Sequence, residues 1–318
     1  MSELVSILIP VFNRENLIEE TLLSALNQTY SNIEIIVVDN ASTDNTWQVI
    51  EKIALNDSRI KCFRNSENIG PVRNWMRCID EATGIYGKIL WSDDLIHSEF
   101  IEETLPYLQN DDVGFVYTMT EIFIDGTDKK TEHFHIGDTG IYGSEQYVQG
   151  VIFDGRYPVS PGCAIFRLND LKLNLLVDIP NSVDSDFSMH AIGNDLLIFL
   201  LTASQYKKFA YIDKVLSSFR AHDGSISISS ADGKLPLHYT LATAYFIENK
   251  RKDLIEKFNV LIRLHLIRYR KSNKYGMNKV SDFYCTNVNY RVDLSFLFLK
   301  IKNKVLKLIK QSKIDPIS

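Results

Sequence analysis

The sequence predicts an α/β protein, a mostly parallel sheet covered by helices on both faces, with a helical C-terminal region after it. Three observations predict this. Short apolar runs alternate with segments of helical periodicity, the pattern of parallel strands and their crossover helices. The apolar runs are nearly continuous rather than alternating, which means strands buried on both faces. The composition, 45% hydrophobic and 24% charged over 318 residues, is that of a globular chain. That length allows about two domains.

The elements follow in order. Residues 5–10 form a strand ended by Pro10, and Leu17, Leu22, Leu23 and Leu26 recur as a helix behind a candidate cap at Asn13. Residues 33–38 form a second strand ending at Asp39. Trp47, Ile50 and Ile53 then mark a helix whose start is signalled by Ser42, Thr43 and Asp44. Residues 60–63 are a shorter strand, Gly70-Pro71 opens a helix through Trp75 and Ile79, and Gly84 sits at the usual C-terminal glycine position. Residues 86–91 are a buried strand running into Ser92-Asp93-Asp94. In open α/β sheets ligands bind beyond the carboxyl ends of strands, where Asp39 and Asp93-Asp94 fall.

From 113 to 220 the pattern is mixed. It holds a strand at 113–117, a glycine-rich loop region at 137–162, a helix ending near Ser204 and a strand at 209–212. Beyond Pro236 the chain turns helical, with Leu254, Phe258, Leu261, Leu264 and Ile267 on one apolar face. Charge divides the same way: residues 1–234 carry 18 basic and 34 acidic side chains, and residues 235–318 carry 17 and 6. A basic tail thus follows an acidic body.

Several function classes are excluded. There is neither a Gly-x-Gly-x-x-Gly after the first strand nor a Gly-x-x-x-x-Gly-Lys-Ser/Thr loop, which disfavours dehydrogenases and phosphate-loop ATPases. Four scattered cysteines without a Cys-x-x-Cys pair suggest reduced thiols rather than zinc or disulfides. The longest apolar stretch, 196–201, is far too short to span a membrane, and Met1-Ser2-Glu3 lacks the basic start of a signal peptide, so a cytoplasmic location is expected.

Two carboxylate groups could carry chemistry. Asp39 at a strand end can accept from a base or ribose, or can simply serve a turn. Adjacent Asp93 and Asp94 repel each other unless a cation lies between them, and a hard divalent ion completed by substrate phosphates suits them. Alternatively Asp94 caps a helix starting near Ser98 and Asp93 is solvated.

These residues resemble glycosyltransferase family 2, nucleotide-sugar-dependent enzymes of the Rossmann-like GT-A fold. Residues 5–13 resemble its opening strand, and Asn27-Gln28-Thr29-Tyr30 with 34–46 its most recognisable block. Asn68-Ile69-Gly70 with Arg73-Asn74 resembles the next block, and residues 90–94 fall at the Asp-x-Asp signature. Residues 161–167 are similar to the acceptor-side strand, Asn194-Asp195 to the position of the general base, and 211–213 with 219–225 to the closing segment. The resemblance covers roughly 3–230. Trp91 departs from it by replacing the first signature Asp, and Asn194 by replacing a common acidic residue.

The resemblance implies that Asp39 contacts the nucleobase and that Pro10, Phe12 and Asp44 help form the nucleotide pocket. Arg73 would lie near the diphosphate, and Asp93 and Asp94 would hold Mg2+ or Mn2+ and the ribose-phosphate end. His222 and Arg220 would close over the leaving group, and Asp195 would be the base, a helix-start aspartate being its structural alternative. The implied activity is inverting sugar transfer from a nucleotide sugar, UDP-linked by default and CDP- or dTDP-linked otherwise, to a glycan or lipid-linked acceptor. The implied domains are a glycosyltransferase domain at 1–234, with donor and acceptor halves of about 1–112 and 113–234, and a basic helical region at 235–318. A non-catalytic binder on this fold is kept open by Trp91. A sugar nucleotidyltransferase would need a glycine- and arginine-rich loop where residues 10–15 have none.

His133-x-His135 reads as a surface loop, since no third ligand is near. Residues 294–309 set apolar side chains among lysines as a basic amphipathic helix, suited to an anionic membrane surface or to packing on the acidic body. Nucleic acid is not expected, because no reading motif accompanies the charge.

Overall fold

A computed structural model describes residues 3–222 and 233–312, with side chains to 306. The described residues form two compact units, one of 3–179 with 186–222 and the other of 180–185 with 233–312. The second unit draws residues 180–185 from within the acceptor half.

The first unit begins with β1 (Val5–Val11), α1 (Ile18–Leu26), β2 (Ile33–Asp39), α2 (Thr46–Ala54), β3 (Ile60–Arg64), α3 (Pro71–Glu81) and β4 (Tyr86–Ile89). It continues through β5 (Leu95–Ile96), α4 (Phe100–Leu108), β6 (Val113–Ile124), β7 (Lys130–His133), β8 (Gly140–Gly143) and α5 (Ser144–Gln149). Last come β9 (Ala164–Arg167), α6 (Leu168–Asn174), α7 (Phe187–His190), α8 (Asn194–Gln205) and β10 (Lys208–Ala221). The sheet order is β3-β2-β1-β4-β9-β6-β10-β5, with β7 on β6 and β8 on β10. Strands β1 to β4 pair in parallel, β9 runs antiparallel between β4 and β6, and β6 and β10 are again parallel. Every residue of β1 and β2 is buried, as their continuous apolar runs require.

One polar residue inside this sheet organises its amino end. Glu34, 3% exposed, accepts from Ser6 Oγ at 2.6 Å, Thr83 N at 2.6 Å, Gly84 N at 3.1 Å and Lys61 Nζ at 2.6 Å. Burial acts to raise its pKa, but these bonds outweigh burial and lower it. Gly84 is needed here for close approach, not as a left-handed helix end: a Cβ would lie 2.5 Å from Ser6 Oγ. Gly70, at φ 87°, is the glycine that conformation demands, just before α3.

Other expectations shift. Helix α1 starts at Ile18, and Asn13, at φ 51°, instead accepts from Thr43 N at 2.9 Å. The glycine-rich stretch holds β8, α5 and a tight 161–163 turn rather than loop alone. Cys78 and Cys163 are buried thiols, Cys62 is half-buried and Cys285 exposed.

The second unit contains α9 (Lys234–Lys250), α10 (Ile255–Arg268) and α11 (Leu294–Ser312). The segment between α10 and α11 is pinned by buried polar side chains: Glu248 accepts from Cys285 N at 3.0 Å, and Asn259 Nδ2 donates to the Asn289 and Arg291 carbonyls at 2.8 Å. The buried residues of α10 are Ile255, Phe258, Asn259, Val260 and Ile262; of the expected apolar face, Leu254 and Phe258 are buried, Leu261 and Leu264 are half-buried, and Ile267 is exposed. Asp293 caps α11 through Phe296 N at 3.0 Å, and Phe296 is buried against α10, between Lys257 and Lys300. Past it Phe298, Leu299, Ile301, Val305 and Leu306 are exposed. No described helix is long and apolar enough to cross a membrane.

Candidate active site

The carboxyl ends of β1 and β2 are joined by their loops. Asn13 N donates to Ser42 Oγ at 2.9 Å, Arg14 N to Thr46 Oγ1 at 2.7 Å and Glu15 N to Asp44 Oδ2 at 3.2 Å. Pro10 is buried in β1, and Phe12 is 38% exposed just beyond it. Asp39 ends β2 fully buried; its carboxylate accepts from Ser42 N at 3.2 Å and from Ser42 Oγ, and pairs with Arg64 Nε at 3.0 Å. Arg64 lies over the Trp47 ring, 5.6 Å from its centroid. Asp44 accepts from Thr46 N at 3.0 Å, which ties it to the start of α2; despite some burial, its bonds to Thr46 and the Glu15 amide lower its pKa.

Below this rim, asparagines replace apolar packing. Asn65 Nδ2 donates to Asn40 Oδ1 at 2.8 Å and Asn74 Oδ1 at 2.9 Å, and Asn40 Oδ1 accepts from Ile69 N at 3.0 Å. Satisfied buried networks of this kind fix a single loop geometry.

The acidic turn follows β4. Asp94 does not cap a helix: α4 starts at Phe100, and Asp94 Oδ1 accepts from Arg220 N at 2.9 Å. Asp94 is 7% exposed, and burial followed by the charge of Asp93 holds its pKa well above the ordinary carboxylate value. Asp93 is more open, its side chain 18% exposed, with Oδ2 lying 3.0 Å from His222 Nε2 and 3.5 Å from Arg14 Nη2. The structure thus brings Asp93, Asp94, Arg220 and His222 together. Arg220 is placed differently from its expected closing role. Its side chain is 5% exposed, and its guanidinium pairs with Glu20 and Asp125 and donates from Nε to the Asp93 carbonyl at 3.0 Å, so it braces the turn. Residues 223–225 of the expected closing segment lie outside the described residues.

Arg73 stands with another group, donating to Ser188 Oγ at 2.6 Å and lying 3.6 Å from Asp178. Asp195 opens α8 at 8% exposure, with Oδ1 accepting from Gly193 N at 3.0 Å and Leu196 N at 2.9 Å. The 161–163 turn packs against both β4 and α8, so it bridges the strand that carries the acidic turn and the helix that carries Asp195. Trp91 is a wall residue, 4.6 Å from Trp75 between ring centroids, with Nε1 donating to Ser160 Oγ at 2.8 Å.

Sequence reasoning missed Arg14, Arg64 and Lys88. A cation directly after a strand end could have flagged Arg14, and a lone lysine in an apolar run could have flagged Lys88. Lys88 is fully buried, and burial pulls its ammonium down to about 7.

The family model described as glycosyl transferase family 2 matches residues 6–173. An Escherichia coli protein, UDP-Glc:alpha-D-GlcNAc-diphosphoundecaprenol beta-1,3-glucosyltransferase WfaP, is 40% identical over 259 residues, 81% of this chain and 86% of WfaP. An uncharacterized glycosyltransferase of Haemophilus influenzae is 40% identical over 34% of this chain, an alignment that spans only 43% of that protein. The crystal structure of S. aureus TarS 1-349 in complex with UDP-GlcNAc matches with a TM-score of 0.63 at 19% identity, covering 86% of this chain and 75% of that one. This last likeness is one of fold, and it agrees with the GT-A architecture expected from the sequence. Because the family match takes in more than half the chain and the WfaP alignment runs through most of the rest, the chain belongs to glycosyl transferase family 2 and is a glycosyltransferase.

Proposed function

We propose that the protein transfers a sugar from a UDP-sugar to a hydroxyl of a lipid-linked glycan acceptor with inversion at the anomeric carbon. The observation that carries this is the acidic turn, held by Arg220 at the strand ends and linked through the 161–163 turn to the helix bearing Asp195. Asp39 at the end of β2 would accept from the base, with Arg64 beside it, while Pro10, Phe12 and Asp44 would shape the nucleotide pocket. Asp195 would take the proton of the acceptor hydroxyl as its oxygen attacks the anomeric carbon, and the bond to the diphosphate breaks with both electrons leaving on the nucleoside diphosphate. Arg14 and His222 would offset that charge, and Arg73 would act from the α3 side.

The residues fit a divalent ion of one kind. Among the described residues no cluster of three His, Cys, Asp or Glu forms a cage. Asp93, open beside His222, suits a hard cation completed by substrate phosphates. Asp94, buried and bonded to Arg220 N, would support the turn from below. When bound, Mg2+ or Mn2+ would supply positive charge to the departing diphosphate.

WfaP's name pairs UDP-glucose with GlcNAc linked to diphosphoundecaprenol, so that donor and acceptor are the first to test here. The exposed apolar and lysine side chains of α11 support work at an anionic membrane surface, on the cytoplasmic face of the inner membrane. A panel of UDP-, CDP- and dTDP-sugars, offered with a short-chain α-GlcNAc-diphosphate lipid and with or without Mn2+, tests the proposal. Glycosylated lipid from a UDP-sugar is the expected product; turnover with none of the donors overturns it.

A further inference from the structure

We propose that Lys88 and Trp91 form a clamp that sets the gap between the donor's leaving-group end and the base, which makes Lys88 a positioning residue for sugar transfer. This rests on the reading that Asp93 marks the diphosphate end and Asp195 is the base. Both clamp residues belong to the stretch that leads into the acidic turn, Lys88 within β4 and Trp91 two residues past its end. Both hold the same segment, 74 and 69 residues further along the chain.

Lys88 Nζ donates to the Gly162 carbonyl and, at 3.1 Å, to the Ile89 carbonyl, and it lies 4.5 Å from the Phe100 ring centroid. A fully buried ammonium is costly unless such partners compensate it, and an apolar residue would fill β4 without that cost. Trp91 Nε1 donates to Ser160 Oγ, which also accepts from Gly162 N at 3.3 Å. A side chain at Gly162 would crowd its neighbours. A Cβ there would lie 3.0 Å from both Trp91 and Phe219, so the turn is seated directly on the indole.

The seated turn then passes the constraint on. It packs against β6, β10 and α8, and Asp195 is the second residue of α8. Because a misplacement of ~1 Å at reacting groups can cost ~100-fold in rate, a clamp at this point controls transfer more than it controls donor binding.

The test uses the full-length protein and three readouts: transfer from UDP-glucose, or the donor that the panel identifies, to the short-chain α-GlcNAc-diphosphate lipid; hydrolysis of that donor; and UDP affinity by titration calorimetry. Lys88→Met keeps the side-chain length and loses both hydrogen bonds. It should lower transfer by about tenfold or more and change UDP affinity by less than about threefold. Hydrolysis should fall less than transfer, since a mobile water tolerates a changed gap that a bound acceptor does not. Ser160→Ala and Trp91→Phe, which leave Lys88 in place, should move the transfer-to-hydrolysis ratio in the same direction by a smaller factor. If Lys88→Met does not fold, these two variants decide by the same ratio. An unchanged ratio with intact UDP binding overturns the clamp. Asp195→Asn, measured alongside, separates the two ideas: if it leaves transfer intact, the assignment of the base fails. If it abolishes transfer while the clamp variants keep the ratio, the clamp alone fails.

Discussion

Residues 3–112, the proposed donor-side half, and residues 113–222, the proposed acceptor-side half, share one sheet but are packed from different material. The donor-side core is aliphatic: Val5, Ile7, Ile9, Ile35 and Val37 lie in strands buried on both faces. The acceptor-side core is aromatic, with Phe115 contacting Tyr147, Phe166, Phe199 and Phe209 at centroid distances of 5.0 to 5.7 Å. Polar function is divided as unevenly. The rim of 3–112 gathers Asp39, Asp44, Asp93 and Asp94 with Arg14 and Arg64, whereas 113–222 lends Arg220 and His222 to the acidic turn and sets Asp195 at the start of an apolar helix. On the proposed roles, donor binding is shared among many groups and the proton transfer depends on one.

That contrast is broken most directly at Asp195. Asp195→Asn should reduce transfer by ~100-fold or more with UDP affinity unchanged, measured by steady-state kinetics and calorimetry. Asp186, which caps α7 through Met189 N at 3.2 Å, is the control. If the loss appears in Asp186→Asn instead, the acceptor-side assignment is wrong.

A second test addresses what holds the donor side together. Glu34→Gln keeps the shape of the side chain but cannot serve the Lys61, Ser6, Thr83 and Gly84 donors as an anion, and should destabilise the fold by about 2 kcal/mol in urea titrations at neutral pH. The pH dependence has a defined sign. Glu34 has a folded pKa below its unfolded value of 4.5, so its contribution is complete above that value and is lost as pH falls through the lowered folded pKa. The Gln variant should lack this component of acid destabilisation; identical acid profiles would contradict the argument.

The acidic turn sharpens the comparison further, because its two carboxylates differ in surroundings. Asp93→Asn should weaken Mn2+ stimulation of turnover by about tenfold. Asp94→Asn, whose amide oxygen can still accept from Arg220 N, should weaken it less. Equal effects would show that both carboxylates reach the ion.

The smallest effect on chemistry is expected from α11. Phe296 is packed and Phe298 is not, so the cut belongs after Phe296. Removal of 297–318 should leave donor hydrolysis unchanged while abolishing cosedimentation with anionic vesicles, and the binding of the full-length chain should weaken with salt. Negligible binding of the full-length chain to anionic and neutral vesicles alike would end the membrane proposal, and a lowered melting temperature on truncation would favour packing on protein.

The two halves were also unequally legible in the sequence. Near-continuous apolar runs, each closed by a proline or an acid, made β1, β2 and β4 visible, because both faces of those strands are buried. The aromatic half gave a mixed pattern, since ring contacts such as that of Phe115 with Phe209 join distant segments and leave no local period. The site divides similarly. Asp93 and Asp94 announced themselves as adjacent charges, but the partner that holds Asp94 lies 126 residues away and the carboxylate that pairs with Arg220 Nη2 lies 200 residues from it. Lys88 was passed over as one lysine in an apolar strand, because its meaning depends on Gly162, 74 residues away.

The placement of the tryptophans has an optical consequence. All three, Trp47, Trp75 and Trp91, fall in the donor-side half, while the acceptor-side rings are phenylalanines and tyrosines. Trp47 stacks with Arg64 at the Asp39 end of the rim, and Trp91 leans on Trp75 just before the acidic turn. On the proposed roles, selective tryptophan emission would therefore report on the nucleotide cleft without a fitted label. Trp47→Phe would leave a signal from the proposed diphosphate end, and Trp91→Phe with Trp75→Phe one from the proposed nucleobase end, so nucleotide and metal arrival could be timed separately by stopped flow.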